Sequence, residues 1–490
     1  MIKTNEGKFA YTILTVYLWI GAAAAGYFFE VSFLALNAAL FLALAVYICR
    51  TGLVRVTLLH GLLFLLISLY WLSCFYAVDR EAAVLEAARI TNLLPIALLV
   101  SALPANRRWD LLKQWAWIGA FLTVLGWVLR LFRNGRLEST IGYANVLAIL
   151  LAVGIWMGWK AYREKGGRIY LLLVAVQLAG MLQTGSRAVL ALFVAGSLWQ
   201  LARSGRLRDP KVWFYSAAIA ILLLIAAGLN GGVLRRLTEW SWNSPEFHLR
   251  RIYWFDGFRL LKDVWHTGLG GGGWAVLHPG GYFVKYVHQY YLQAALDAGV
   301  WATAIFVALV LASAYGAIKS NEKTAPIPLV TFVFLIHIAF DIDFSFPLCF
   351  GYFIMSLCVL EGGKPVIVVG LGKAHGRIIL AALCVIVTIG FGWISAGYGI
   401  KAIGVRAASN ENWNDSTNML QVSGQMLPWA HSVHFELANS YTAHGNKTGE
   451  NRYYGLAIRE MEQAVRSVPQ YTVYQQMMKS LYSFDGMGKK

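Results

Sequence analysis

The sequence predicts an all-α polytopic membrane protein with about thirteen transmembrane helices, a long extracytoplasmic loop between spans nine and ten, and a small helical tail. Three observations carry this expectation. The 490 residues are 58% hydrophobic and only 14% charged. Several apolar runs approach the ~20 residues that a helix needs to cross a bilayer. Basic residues also crowd into alternate loops, as the positive-inside rule requires. The net charge of +17 would point a soluble chain toward nucleic acid. In a membrane chain it reports inner loops and anionic partners.

The expected spans centre near Trp19, Ala39, Phe64, Ile96, Leu122, Ile149, Val174, Val194, Ile221, Phe306, Val333, Ile354 and Ile386. The first run, Ala10 to Phe29, has no small-residue cleavage site behind a short apolar core, so it is expected to be retained. Loops at the N-terminus, 50–55, 107–113, 160–168, 203–211, 319–323 and 364–377 hold 20 of the 42 Lys+Arg. The short intervening loops hold six: Arg80, Arg89, Arg130, Arg133, Arg136 and Arg187. This asymmetry places the N-terminus in the cytoplasm. An odd span count then puts residues 230–287 and the C-terminus outside. The expected division is a membrane domain over 1–400 and an extracytoplasmic tail over 401–490.

Arg187, in "QTGSRAVLALF", and Arg130, Arg133 and Arg136 fall on the outer side, against the orienting rule. A lone arginine at membrane depth costs at least a few kcal/mol. Arg187 is therefore either a turn residue between two membrane helices or the partner of something negative.

In the outer loop, "EFHLRRIYWFDGFRLLKDVW" (246–265) places Phe247, Trp254, Phe258, Leu261 and Trp265 at amphipathic helical spacing. Arg251 falls in that stripe. It either snorkels at its edge or is aimed into a cavity by a helix lying along the membrane. Arg250, one position off, is expected to be solvated. "GLGGGGW" (268–274) formally contains G-x-G-x-x-G, but no βαβ unit surrounds it, so a flexible turn or close backbone approach is expected. "VVGLGKAHG" (368–376) is a similar decoy.

"YVHQYYLQAALDAGVWATAIF" is expected to open the tenth span with His288 at its outer, N-terminal end. There His288 either makes interfacial hydrogen bonds or, as a neutral imidazole, accepts a proton. The nine other histidines show no metal spacing. Asp341 and Asp343 in "FDIDF" either hold a cation or position a sugar, or are turn and helix-end residues. The five cysteines lie in apolar runs with neither metal nor paired spacing, as buried core residues do.

The tail is polar from Ala407 onward. Leu437, Ala438, Tyr441, Ala457, Met461, Ala464 and Pro469 fit one tetratricopeptide unit with extra residues in its turn. Helices at 412–426 and 471–484 would cap it. The alternatives are a concave protein-binding face and a plain bundle packed on the membrane domain.

Four stretches, "RLESTIGYANVLAILL", "QTGSRAVLALF", "RIYWFDGFRLLKDVWHTGLGGGGW" and "VHQYYLQAALDAGVWATAIF", resemble the superfamily of bacterial O-antigen ligases, O-antigen polymerases and O-oligosaccharyltransferases, in that family's order. The resemblance covers about Arg136 to Phe306. It implies an enzyme of the bacterial inner membrane that moves a glycan from undecaprenyl pyrophosphate to the hydroxyl of a polysaccharide, lipid or protein acceptor. Carried over by motif, Arg187, Arg251 (or the adjacent Arg250) and Arg136 hold the pyrophosphate. His288 activates the acceptor, and Asn145 and Gln289 are candidate sugar or acceptor contacts. Two departures stand out: His288-Gln289 where the family usually has His-Asn, and Trp265-His266-Thr267 where it usually has a proline.

Guanidinium groups suit this chemistry because they bind phosphate oxygens bidentately and keep their charge. No cofactor or metal is expected, and the attack would invert the anomeric carbon. The tail is expected to bind an envelope protein. The competing expectations are a flippase or transporter of lipid-linked glycan, which should show internal repeats, and a receptor or scaffold.

Overall fold

The computed structural model describes residues 4–205, 245–279, 284–319, 326–362, 367–370 and 374–487. The expected ninth span near Ile221 and the first part of the long loop lie outside the described residues. Helices fall on the other twelve expected span centres. Among the described residues six helical stretches are long and apolar enough to cross a membrane: 30–51, 80–101, 105–128, 144–165, 300–318 and 375–409. Shorter apolar helices cover 58–73, 168–183, 327–337 and 347–360.

The first ten helices are α1 (Thr4–Ala23), α2 (Glu30–Thr51), α3 (Leu58–Ser73), α4 (Arg80–Thr91), α5 (Leu93–Ser101), α6 (Ala105–Lys113), α7 (Trp115–Val128), α8 (Ala144–Lys165), α9 (Arg168–Gln183) and α10 (Arg187–Arg203). Of these, α8 is apolar around most of its circumference and is correspondingly buried. It packs closely with α7 and α9 around Gln177, whose Nε2 donates to the Ala116 and Leu173 carbonyls at 3.0 Å. A Cβ on Gly154 would lie 1.9 Å from Gln177 Oε1, so small residues let these helices approach, as is common between membrane helices.

Beyond the undescribed segment come α11 (Pro245–Val264), α12 (Gly273–Leu277), α13 (Tyr290–Ala298), α14 (Val300–Lys319), α15 (Ile327–His337) and α16 (Pro347–Leu360). One finding here differs from expectation, and a second selects between two expected alternatives. First, α13 does not continue into α14. Gly299 breaks the chain at φ +80, and a Cβ there would sit 2.4 Å from the His266 carbonyl. The helix folds back instead: Thr303 Oγ1 donates to the Tyr291 carbonyl at 2.7 Å, and Tyr290 packs its ring on Phe306 at 5.1 Å. The N-terminal end of α13 thus lies about 9 Å along α14 from its start, at 1.5 Å per residue. Such re-entry is tolerated at membrane depth where the irregular backbone is buried in protein or lines a cavity.

Second, the glycine run is a close approach rather than a loose turn. Gly268, Gly270 and Gly272 all have positive φ, and a Cβ on Gly270 would meet the Ala77 Cβ at 2.2 Å. The Leu269 carbonyl accepts from Val78 N at 3.0 Å, and Leu269 N donates to the Leu296 carbonyl at 2.6 Å. Bare backbone therefore pins the loop between the α3–α4 turn and α13. The other glycine-rich stretch contributes Ile367–Gly370, which pairs antiparallel with Leu53–Val56, and among the described residues these two strands form a sheet by themselves.

The longest helix among the described residues, α17 (Ala374–Ser409), measures about 54 Å at 1.5 Å per residue. That exceeds the ~30 Å hydrocarbon core, so it carries the chain beyond the membrane and continues through the expected boundary at residue 400. The tail then comprises α18 (Trp413–Met426), α19 (His431–Thr448), α20 (Asn451–Ser467) and α21 (Thr472–Met487). Leu437, Ala438, Tyr441, Ala457, Met461 and Ala464 are buried. The tail docks on the start of α4. His431 Nε2 lies 3.0 Å from Asp79 Oδ1, Ser432 N donates to Glu81 at 2.8 Å, and Tyr398 on α17 donates to Glu81 at 2.7 Å.

Candidate active site

A cavity of about 480 Å³ opens where five segments distant in sequence meet. Its lining includes Arg136, Tyr143, Asn145, Arg187, Arg250, His288, His337 and Asp341.

Arg136 lies on a two-residue hairpin, Phe132–Arg133 paired with Arg136–Leu137. The turn is Asn134-Gly135, both at positive φ, the sequence such tight turns favour. Arg136 Nε donates to the Thr184 carbonyl at 2.6 Å, and its Nη2 to Asn145 Oδ1 at 2.5 Å. Asn145, in the first turn of α8, donates through Nδ2 to Asp341 Oδ2 at 2.7 Å.

Arg187 is the first residue of α10. A helix N-terminus disfavours a cation, so the local helix is not what this arginine serves. Its Nη2 lies 3.8 Å from Glu246 Oε2, and the side chain is 24% exposed. The residue is thus both next to a helix boundary and in the cavity wall.

Arg250 and Arg251 exchange the places expected of them. Helix α11 packs through Tyr253, Trp254, Leu260, Leu261 and Val264 onto Trp274, Val287, Leu292 and Leu296. Gly257 faces Leu292. Phe258 and Trp265, expected on that face, are 53% and 50% exposed. The buried stripe is therefore rotated by one residue, about 100°, and carries Arg250 into the cavity, where Nη2 meets Asp341 Oδ2 at 3.0 Å. Arg251 is exposed and does not line the cavity. Aromatic residues on both sides of the helix obscure this phase in the sequence.

His288 has φ +55, a backbone region that costs non-glycine residues energy and clusters at functional sites. Its ring stacks on Tyr253 at 6.1 Å, and its carbonyl accepts from Trp254 Nε1 at 3.4 Å. Nδ1 is buried, has no hydrogen-bond partner among the described residues, and lies 3.7 Å from Asp341 Oδ1, beyond hydrogen-bond reach. Gln289 instead caps α13, accepting from Leu292 N, and is absent from the lining.

Asp341 is the hub. Only 1% of its side chain is exposed. Beyond Arg250 and Asn145 it accepts from Tyr143 Oη at 2.8 Å and from Ile342 N at 2.9 Å. Burial disfavours its charge, but His288, Arg250 and His337 outweigh burial and hold the carboxyl well below the usual carboxylate range. The neighbouring Asp343 pairs with His337 Nδ1 at 2.5 Å. Beneath them Phe344 stacks on Phe350 at 4.2 Å, and Phe306, Phe334 and Phe353 complete an aromatic floor. The close acidic pair in "FDIDF" was the signal for this hub. His337, at the end of an apolar helix, gave none. Among the described residues no group of three or more His, Cys, Asp or Glu side chains is placed to hold a metal.

Three arginines and two histidines thus line one cavity together with Glu246 and Asp341, among apolar helices. The sequence model of the family described as O-Antigen ligase matches residues 172–307. The chain is similar to that family over this stretch, which is less than a third of its 490 residues. The matched stretch contains Arg187, Arg250 and His288, while Arg136, Asn145 and Asp341 lie outside it. Comparison with curated proteins and with solved structures found no match.

Proposed function

We propose that the protein is an inverting glycosyltransferase that moves a glycan from a polyprenyl pyrophosphate to an acceptor hydroxyl on the outer side of the bacterial inner membrane. The single observation that supports this most is the convergence of Arg136, Arg187 and Arg250 on the cavity that His288 also lines. The reading takes the N-terminus as cytoplasmic and the tail, including its tetratricopeptide-like pair, as extracytoplasmic.

In this mechanism the arginines grip the pyrophosphate through charge-assisted hydrogen bonds. His288 accepts the acceptor proton through Nε2 as the acceptor oxygen attacks the anomeric carbon. The bond from that carbon to the phosphate oxygen breaks, and its electrons leave with the lipid pyrophosphate. Preorganised guanidinium groups in a water-poor site favour that departure strongly, so the reaction needs no metal. Asp341, facing Nδ1, stabilises the imidazolium as it forms and fixes Arg250 and Asn145.

The test is purified protein in detergent given lipid-linked glycan, which leaves no compartments for a transporter to connect. Arg187→Ala and Arg187→Lys should both lose transfer, and unchanged transfer in both would remove the claim. His288→Ala should bind donor and lose turnover.

A further inference from the structure

Helix α11 shows a second face that the cavity does not use. At 100° per residue, Phe255, Phe258, Trp265, Arg251, Arg259 and Lys262 occupy about a third of its circumference. Phe255 is 70% exposed, and the three cations are exposed as well. The acidic residues Asp256 and Asp263 fall on the other flank of the helix. Aromatics and cations thus share one sector, and carboxylates are segregated from it.

The position of the helix says what this sector meets. Trp265 at its end accepts a backbone hydrogen bond from Val300 N at 2.8 Å, and its ring lies 6.4 Å from Trp301. Val300 and Trp301 begin the membrane-spanning α14. The exposed face of α14 runs from Trp301 through Val307, Leu311, Tyr315 and Ile318, an apolar strip with a tryptophan at its end, as interfacial aromatic belts have. Toward its other end, Trp254 packs on Phe340, 5.9 Å away, just past α15. The helix is therefore held along the rim of the apolar bundle, and its free sector continues the strip on α14.

We propose that α11 is an interfacial membrane helix. Phe255, Phe258 and Trp265 enter the boundary between acyl chains and headgroups, and Arg251, Arg259 and Lys262 bind the phosphates of anionic phospholipid. Such a helix combines a large amphipathic contrast with basic residues beside its apolar sector. It holds the cavity wall formed by Arg250 and Tyr253 at headgroup level. This rests on the membrane-spanning reading of α14 and not on glycan transfer, so it stands or falls separately from the proposed activity.

The experiment uses the full chain in nanodiscs, with Cys49 and Cys74 replaced by serine. Phe255→Cys, Phe258→Cys and Asp263→Cys each carry a fluorophore. Nitroxide-bearing lipid should quench positions 255 and 258 several-fold more than position 263, and aqueous iodide should do the reverse. Equal iodide quenching at all three positions overturns the proposal. Shielding of 255 and 258 from both quenchers means a protein covers the face, and also overturns it. Adding phosphatidylglycerol to phosphatidylcholine discs should deepen the lipid quenching, and Arg259→Glu with Lys262→Glu should abolish that increment. No increment in the parent protein overturns the anionic-lipid assignment.

Discussion

Arg250 and Asp341 meet at 3.0 Å across the cavity wall although 91 residues separate them. The pair joins the amphipathic loop helix to the turn after α15. It leaves Arg250 22% exposed toward the cavity while Asp341 is sealed behind it. A carboxylate behind a row of cations keeps them oriented without occupying the space where an anion would bind.

Asp341→Ala should therefore harm both folding and turnover. Removing one partner of a buried pair costs about 3–5 kcal/mol, and a thermal melt in detergent would read it. Asp341→Asn keeps the shape and a partner for Tyr143 but removes the charge facing His288. It should fold and lose on the order of 10²-fold in turnover, the scale of acid–base assistance. Parent-like turnover in a folded Asp341→Asn protein would remove Asp341 from the mechanism.

The rotated stripe of α11 predicts an asymmetry between adjacent arginines. With a short-chain donor in detergent, Arg250→Ala should lower kcat/KM about tenfold more than Arg251→Ala, since a charge-assisted contact is worth about 1.5–3 kcal/mol. Equal effects would restore the face expected from the sequence.

The glycine run predicts a steric result. Gly270→Ala sets a Cβ 2.2 Å from that of Ala77 in a backbone at φ +82. Overpacking and strain of this kind cost about 1–3 kcal/mol each. Gly166, also at positive φ, has open space around its Cβ position, so Gly166→Ala should lower the melting temperature less. The comparison of the two melts checks the packing of this loop.

The tail latch predicts a pH dependence. Burial depresses the His431 imidazolium, but Asp79 and Glu81 outweigh it and raise the pKa above the ordinary 6.5. A raised folded-state value contributes stability that is full below the unfolded pKa and disappears as pH climbs through the folded one. Protease nicking of the tail should therefore increase as pH rises above about 6.5. His431→Gln should flatten that profile, and a rise of the same size in the variant would exclude His431 as its source.

Much of the site was legible one residue at a time. Arg187 and Arg136 violated the charge pattern of their loops. His288 and Asn145 stood in recognisable stretches, and all four line the cavity. Asp341 was visible as part of an acidic pair but not as a hub, because its partners Tyr143, Asn145 and Arg250 are brought to it only by folding. Gln289, expected as a sugar or acceptor contact, instead spends its side chain on the N-terminus of α13, a use that no local pattern announced.

The sequence by itself determined the apolar helices and their order, because helix formation and membrane burial depend on hydrophobicity and spacing over neighbouring residues. Tertiary structure alone decided which side of α11 is buried, that α13 turns back along α14, and that the tail closes on α4. Those outcomes depend on contacts between segments far apart in the chain. There, a glycine that admits a backbone or a carboxylate that neutralises an arginine selects among arrangements the local pattern permits equally.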